Sequence, residues 1–151
     1  MAASAKFVAN EFLSLANAEA RQLTNMQLQK LVFLAHGYAL GLTGLSMYHN
    51  NTHAWQWGPV IPRLYKALQK FGSGRVTGPI AVDDPSESLD ETQTVVLKGV
   101  LEVYKKFSGA QLSDITHRPG SPWSKTWETD KFGVIPIDDI RDYYKKLVAK
   151  N

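Results

Sequence analysis

The chain has 151 residues, 44% hydrophobic and 21% charged with a net charge of +3, so it is long enough to bury one core unaided and has an ordinary globular composition. It contains no cysteine, which excludes disulfides, thiolate metal sites and cysteine nucleophiles and fits a cytoplasmic chain. No apolar run is long enough to span a bilayer, and Asn10 and Glu11 interrupt the first segment where a signal peptide needs an unbroken core.

Val8, Phe12, Leu15 and Ala16 recur at helical spacing and predict an amphipathic helix from Ala5 to Arg21. Thr24 and Gln27 then form a capping-box pair, and "LQKLVFLAHGYAL" spreads apolar residues around most of a helix, as a buried central helix requires. Gly41 and Gly44 are expected to end it. From Ser46 the period changes. Trp55 and Trp57 share a face at strand spacing, with Met47-Tyr48 expected as the partner strand across "HNNTH". Gly58-Pro59 is read as the break after that hairpin, and Pro62 suits the first turn of a new helix. Ile61, Leu64, Tyr65, Leu68 and Phe71 line one face of this helix, Arg63, Lys66 and Lys70 another, and Gly72 caps it.

"GSGRVTGPIAVDDPSES" has the composition of an irregular, mobile connection. A long helix is predicted from Leu89 to Phe107, with Val96, Val100, Val103 and Phe107 facing inward. "AQLSDITHRPG" reads as a short helix, and Ser121-Pro122 starts another that carries Trp123 and Trp127. The last helix has Asp138 and Asp139 at its start and Lys145, Lys146 and Lys150 at its end, matching the helix dipole. The expected architecture is mainly α (α+β): one domain over residues 1–151 with its core at about 8–147, about six helices and one small β-hairpin.

Charge is divided along the chain. No acidic residue lies between Glu19 and Asp83, where six basic ones do, and Asp83 to Glu102 then holds six carboxylates against Lys98. Such a chain presents a positive region that attracts anions and a negative one able to mask it.

Three chemistries are disfavoured. His49 and His53 flank a turn with no carboxylate nearby in sequence, so no metal site or other cofactor is expected. Ser113 and His117 share a helical face as a nucleophile and base would, but neither an oxyanion hole nor a third orienting group is visible, and no catalytic residue is assigned. "GSGRVTG" follows a helix, not a strand, and carries no phosphate-binding lysine. The basic face of Arg63, Lys66 and Lys70 beside Trp55 and Trp57 is the best nucleic-acid candidate, although such a face is more often simply the wet side of a helix.

"LQKLVFLAHGYAL", "AWQWGPVIPRLY", "LSDITHRPGSPW" and "IPIDDIRDYYKKL" follow in this order from about Val8 to Leu147 of the chain. Together they resemble the Panacea domain family, the SocA-like or GepA-like phage-associated group. The resemblance implies a mainly helical bacterial antitoxin, often carried by prophages, that neutralises a cognate toxin by direct protein–protein binding and has no catalytic reaction of its own. It implies a cytoplasmic location, no membrane partner, and a cytoplasmic protease as a further partner if the chain acts as a proteolytic adaptor. Nucleic acid is the weaker partner class. A nucleic-acid-binding, phage regulatory or anti-defence protein remains an alternative.

The motif positions carried over are Gln29, Lys30 and Tyr38; Trp55, Gly58, Pro59, Val60 and Tyr65; and Leu112, Ser113, Thr116, His117, Pro122 and Trp123. Most of them are expected to shape the fold, since specificity usually sits on variable surface. Trp57 exceeds the single tryptophan that the second motif needs. With Arg63, Lys66 and Lys70 it forms the candidate partner surface, because aromatic side chains are common interface anchors. The domain fills the chain, so no separate DNA-binding module is expected.

Overall fold

Side-chain caps set where most of the helices begin. The computed structural model describes residues 2–150, and within them Ser4 caps α1 (Ala5–Ala18), Thr24 caps α2 (Asn25–Thr43), Asp90 caps α4 (Glu91–Tyr104), Ser108 caps α5 (Gly109–Thr116) and Ser121 caps α6 (Pro122–Thr129). Helix α3 (Pro62–Leu68) starts on proline and runs into one 3₁₀ turn, Gln69–Phe71, while α7 (Ile137–Ala149) begins after Pro136 with Asp138 and Asp139 in its first turn. The architecture is mainly α with one two-stranded antiparallel sheet, as expected. Among the described residues no helix is long and apolar enough to cross a membrane.

Helix α2 is the axis of the core. Leu28, Leu31, Val32, Phe33, Leu34, Ala35, Ala39 and Leu40 are all buried, and α1, α4, α5 and α7 pack around them. Its capping box is complete: Thr24 Oγ1 accepts from Gln27 N–H at 3.2 Å, and the Thr24 amide donates to Gln27 Oε1 at 2.8 Å. The same glutamine donates to the Phe107 carbonyl at 2.9 Å, which ties the start of α2 to the corner between α4 and α5. The helix does not stop at Gly41. It ends at Gly44, whose φ of +76° forms a left-handed cap, whereas Gly41 lies where α7 crosses.

The hairpin differs from the sequence expectation. Strand β1 (His53–Trp55) pairs with β2 (Gly58–Val60), in register His53 to Val60, Ala54 to Pro59 and Trp55 to Gly58. Gly58-Pro59 is therefore inside the second strand, and Gln56-Trp57 forms the turn. Gly58 permits the reversal because its φ is +126°. Pro59 is tolerated because its partner Ala54 turns its amide to Gly133 O and its carbonyl to Phe132 N–H, both at 2.9 Å, so no donor is asked of residue 59 there. Met47-Tyr48 instead meets the start of the chain, with Ala3 N–H bonded to Met47 O at 3.1 Å.

Other boundaries shift locally. α1 ends at Ala18, α4 ends at Tyr104, and Val103 is exposed where an inward side chain was expected. Tyr65 is about one-third exposed and meets Trp55 edge-on, with ring centroids 5.0 Å apart. The connection from Gly72 to Asp90 is irregular but pinned: Asn10 makes both hydrogen bonds to Ile80, at 2.7 and 2.8 Å, and Val76 and Ile80 are buried.

Candidate functional site

Three helices hold the hairpin tip by its carbonyl groups. Lys30 Nζ, from α2, donates to Pro59 O at 2.8 Å. Ser113 Oγ, from α5, donates to Trp57 O at 2.5 Å, and Trp123 Nε1, from α6, donates to Trp55 O at 2.6 Å. The first three of the four motifs thus converge on one turn. A Cβ at Gly58 would lie 3.0 Å from Lys30 Nζ and 3.5 Å from Thr116 Oγ1, so the glycine answers both the backbone angle and the close approach of the lysine.

The remaining motif residues are dispersed. Gln29 donates to Asn25 Oδ1 at 2.8 Å, and Asn25 in turn holds Leu68 O and Gly72 O. Leu112 and Val60 are buried, and Pro122 opens α6. Tyr38 lies away from the tip, sharing a 2.6 Å hydroxyl contact with Tyr104. The Ser113 hydroxyl does not meet the His117 imidazole: it is committed to Trp57 O, whereas His117 Nδ1–H donates to the Ser113 backbone carbonyl, with the ring edge-on to Trp123 at 5.2 Å.

Lys30 is only 4% exposed, and burial lowers its ammonium pKa from 10.5 to about 8. The unfolded chain therefore holds this proton over a range where the folded chain has released it, and stability rises with pH between the two values. Urea unfolding should show a gain of about 2 kcal/mol from about pH 7 to 9.5 that is absent from Lys30→Met. Parallel pH curves for the two proteins would show that the ammonium is not desolvated.

The held turn presents Trp57, 68% exposed, at the edge of a groove of about 850 Å³ that Met26, Trp55, Tyr65 and Phe132 also line. Asn25, Gln29, Gln56 and Gln69 add amide groups, Lys30 reaches the lining from α2, and no carboxylate contributes. Phe132 was not singled out by sequence. It has φ +66°, an uncommon conformation for a bulky residue, and the residue is 56% exposed while its ring packs edge-on against Trp127 at 5.2 Å. The Phe132 and Ile135 amides bond Ala54 O and Thr52 O, so this segment runs along the free edge of β1. Only the turn composition of Asp130 to Gly133 hinted at this in the sequence.

The other candidate contact residues do not join Trp57. Arg63 and Lys66 line a second groove, together with Lys6, His49, His53 and Asp83. Lys70 sits in the 3₁₀ turn with its ammonium 5.3 Å from the Phe71 ring centroid. Helix α3 therefore borders an aromatic groove through Tyr65 and a basic one through Arg63 and Lys66.

The residues that build and hold this turn lie within a match to a known family. The family model described as "Antitoxin SocA-like, Panacea domain" matches residues 28–124, well over half of the chain. The chain belongs to this family. Antitoxin SocA of Caulobacter vibrioides (strain NA1000 / CB15N) is 29% identical to it over 127 residues, covering 79% of this chain and 68% of that protein. No solved structure matches. The Panacea match contains Lys30, the hairpin, Ser113 and Trp123, and it stops before Phe132 and α7.

Proposed function

We propose that the antitoxin role given by membership of the SocA-like family is exercised through direct binding of a cognate toxin protein, with the aromatic groove at the hairpin tip as the contact surface. The observation that carries this reading is the combination of an exposed Trp57 with a backbone fixed at Trp55, Trp57 and Pro59. An aromatic side chain on a held turn loses little freedom on association, which is what interface anchors require.

Co-expression with the protein encoded beside this gene, followed by affinity capture, tests the reading. Trp57→Ala should lower toxin affinity by about 2 kcal/mol or more, a loss of at least about thirtyfold, without lowering the melting temperature. Phe132→Gly should weaken capture as well, yet leave unfolding free energy within about 1 kcal/mol, because relief of the left-handed backbone offsets the lost ring packing. Undiminished capture by both folded variants would overturn the assignment of this surface. Failure to capture any toxin with the unaltered chain would overturn direct binding.

A further inference from the structure

The second groove has different chemistry from the aromatic one. It encloses about 950 Å³ and takes Lys6 from α1, His49 and His53 from the turn before and the start of β1, and Arg63 and Lys66 from α3. Arg63 and Lys66 make no ion pair among the described residues. The carboxylates at its border all come from one stretch of this chain, the connection between Gly72 and Asp90. Asp83 lies 3.5 Å from Lys6 Nζ. Glu87 accepts from Ser4 Oγ at 2.8 Å and lies 3.9 Å from His49 Nε2.

We propose that this basic groove binds an acidic polypeptide segment of the partner protein, and that the Asp83–Glu87 stretch is its built-in competitor. The inference rests on the direct-binding reading above and names the chemistry of the partner. Charge complementarity carries it: a polypeptide carboxylate already occupies the Lys6 edge, while two cations on α3 remain open for more. The Asp83 carboxylate is three-quarters exposed, so its pair with Lys6 is of the weak, exchangeable kind that an incoming carboxylate displaces. Glu87 is different. It sits at the start of α1 under the Ser4 hydroxyl, where a negative charge is favoured, and it anchors the stretch while Asp83 yields.

Nucleic acid fits less well. No Trp, Tyr or Phe ring lines this groove to stack successive bases. The rings that a single strand would use, Trp55 and Trp57, line the other groove.

Fluorescence anisotropy of a labelled oligoglutamate peptide against the full chain at low salt tests the proposal, with an oligothymidylate of equal charge as the comparison probe. The peptide should bind. Arg63→Ala with Lys66→Ala should weaken it about tenfold, while the charge-preserving Arg63→Lys with Lys66→Arg retains most of the affinity. Asp83→Asn, a surface change that leaves the Glu87 anchor in place, should tighten binding about twofold or more. Absence of peptide binding, indifference to the Arg63 and Lys66 substitutions, or tighter binding of the oligothymidylate would each overturn the acidic-segment assignment. Toxin capture that persists in any of those cases leaves direct binding standing, so the two readings fail separately.

Discussion

Lowering the pH from about 6.5 to about 4 should remove roughly 3 kcal/mol of stability through one imidazole, that of His36, and His36→Asn should abolish most of this slope. His36 lies in the middle of α2 and is 2% exposed. Its Nδ1 accepts from the amides of Met47 and Tyr48 at 3.3 and 3.4 Å, and its ring stacks on Tyr48 with centroids 3.8 Å apart. The neutral ring is thus the form that the site accepts. Protonation would point an N–H at two other N–H donors and place a charge in the core, and burial lowers the pKa from 6.5 to about 3. Between those values the unfolded chain binds the proton and the folded chain does not, so stability is full above 6.5 and is lost as pH falls. Asparagine offers Oδ1 near the place of Nδ1 and does not titrate. Urea unfolding across the pH series is the measurement, and parallel slopes for the two proteins would show that His36 is not the acid-sensitive group. The effect reaches the surface as well, because Met47 also carries Ala3 at the start of the chain and His49 bonds Ala3 O at 2.9 Å, next to the basic groove.

What was legible in the sequence was local. The Thr24–Gln27 capping box, the apolar circumference of α2 and the Ser121-Pro122 start of α6 each depend on neighbours within one or two turns, and each appears as read. The hairpin was placed one strand too early because Trp55 and Trp57 satisfy strand alternation whether or not the chain turns between them. The turn is decided by Lys30, Ser113 and Trp123, which come from three other helices and take the carbonyls of Pro59, Trp57 and Trp55. The motif residues could be named from the sequence, but not their common target. Phe132 escaped for a similar reason: its conformation is imposed by pairing along Ala54, far away in the chain. Trp57 was legible as a supernumerary aromatic, whereas its separation from Arg63 and Lys66 follows from the way α3 divides two grooves.

Glycine shows the same limit with opposite signs in one protein. Gly41→Ala should destabilise the fold by about 3 kcal/mol, although alanine is the better helix former by about 1 kcal/mol. A Cβ at Gly41 would lie 2.7 Å from the Tyr144 carbonyl carbon and 2.8 Å from the Lys145 nitrogen. Those are backbone atoms of α7, and they cannot rotate aside, so the two helices must separate. Gly37→Ala meets Tyr144 one turn earlier through its ring, at 2.6 to 2.9 Å; that ring is buried beside Phe33, Tyr38 and Tyr143. Replacing the ring should therefore relieve one clash and not the other: Tyr144→Leu should recover part of the loss from Gly37→Ala and none of that from Gly41→Ala. Gly99, on the exposed side of α4, has nothing within 4 Å of an added Cβ, and Gly99→Ala should stabilise by about 0.5–1 kcal/mol. Chemical denaturation of the three glycine variants and the two double variants decides the matter. Stabilisation by Gly41→Ala would mean that the α2–α7 contact is looser than described, and that α7, which lies beyond the matched family span, is not locked to the helix that carries Lys30.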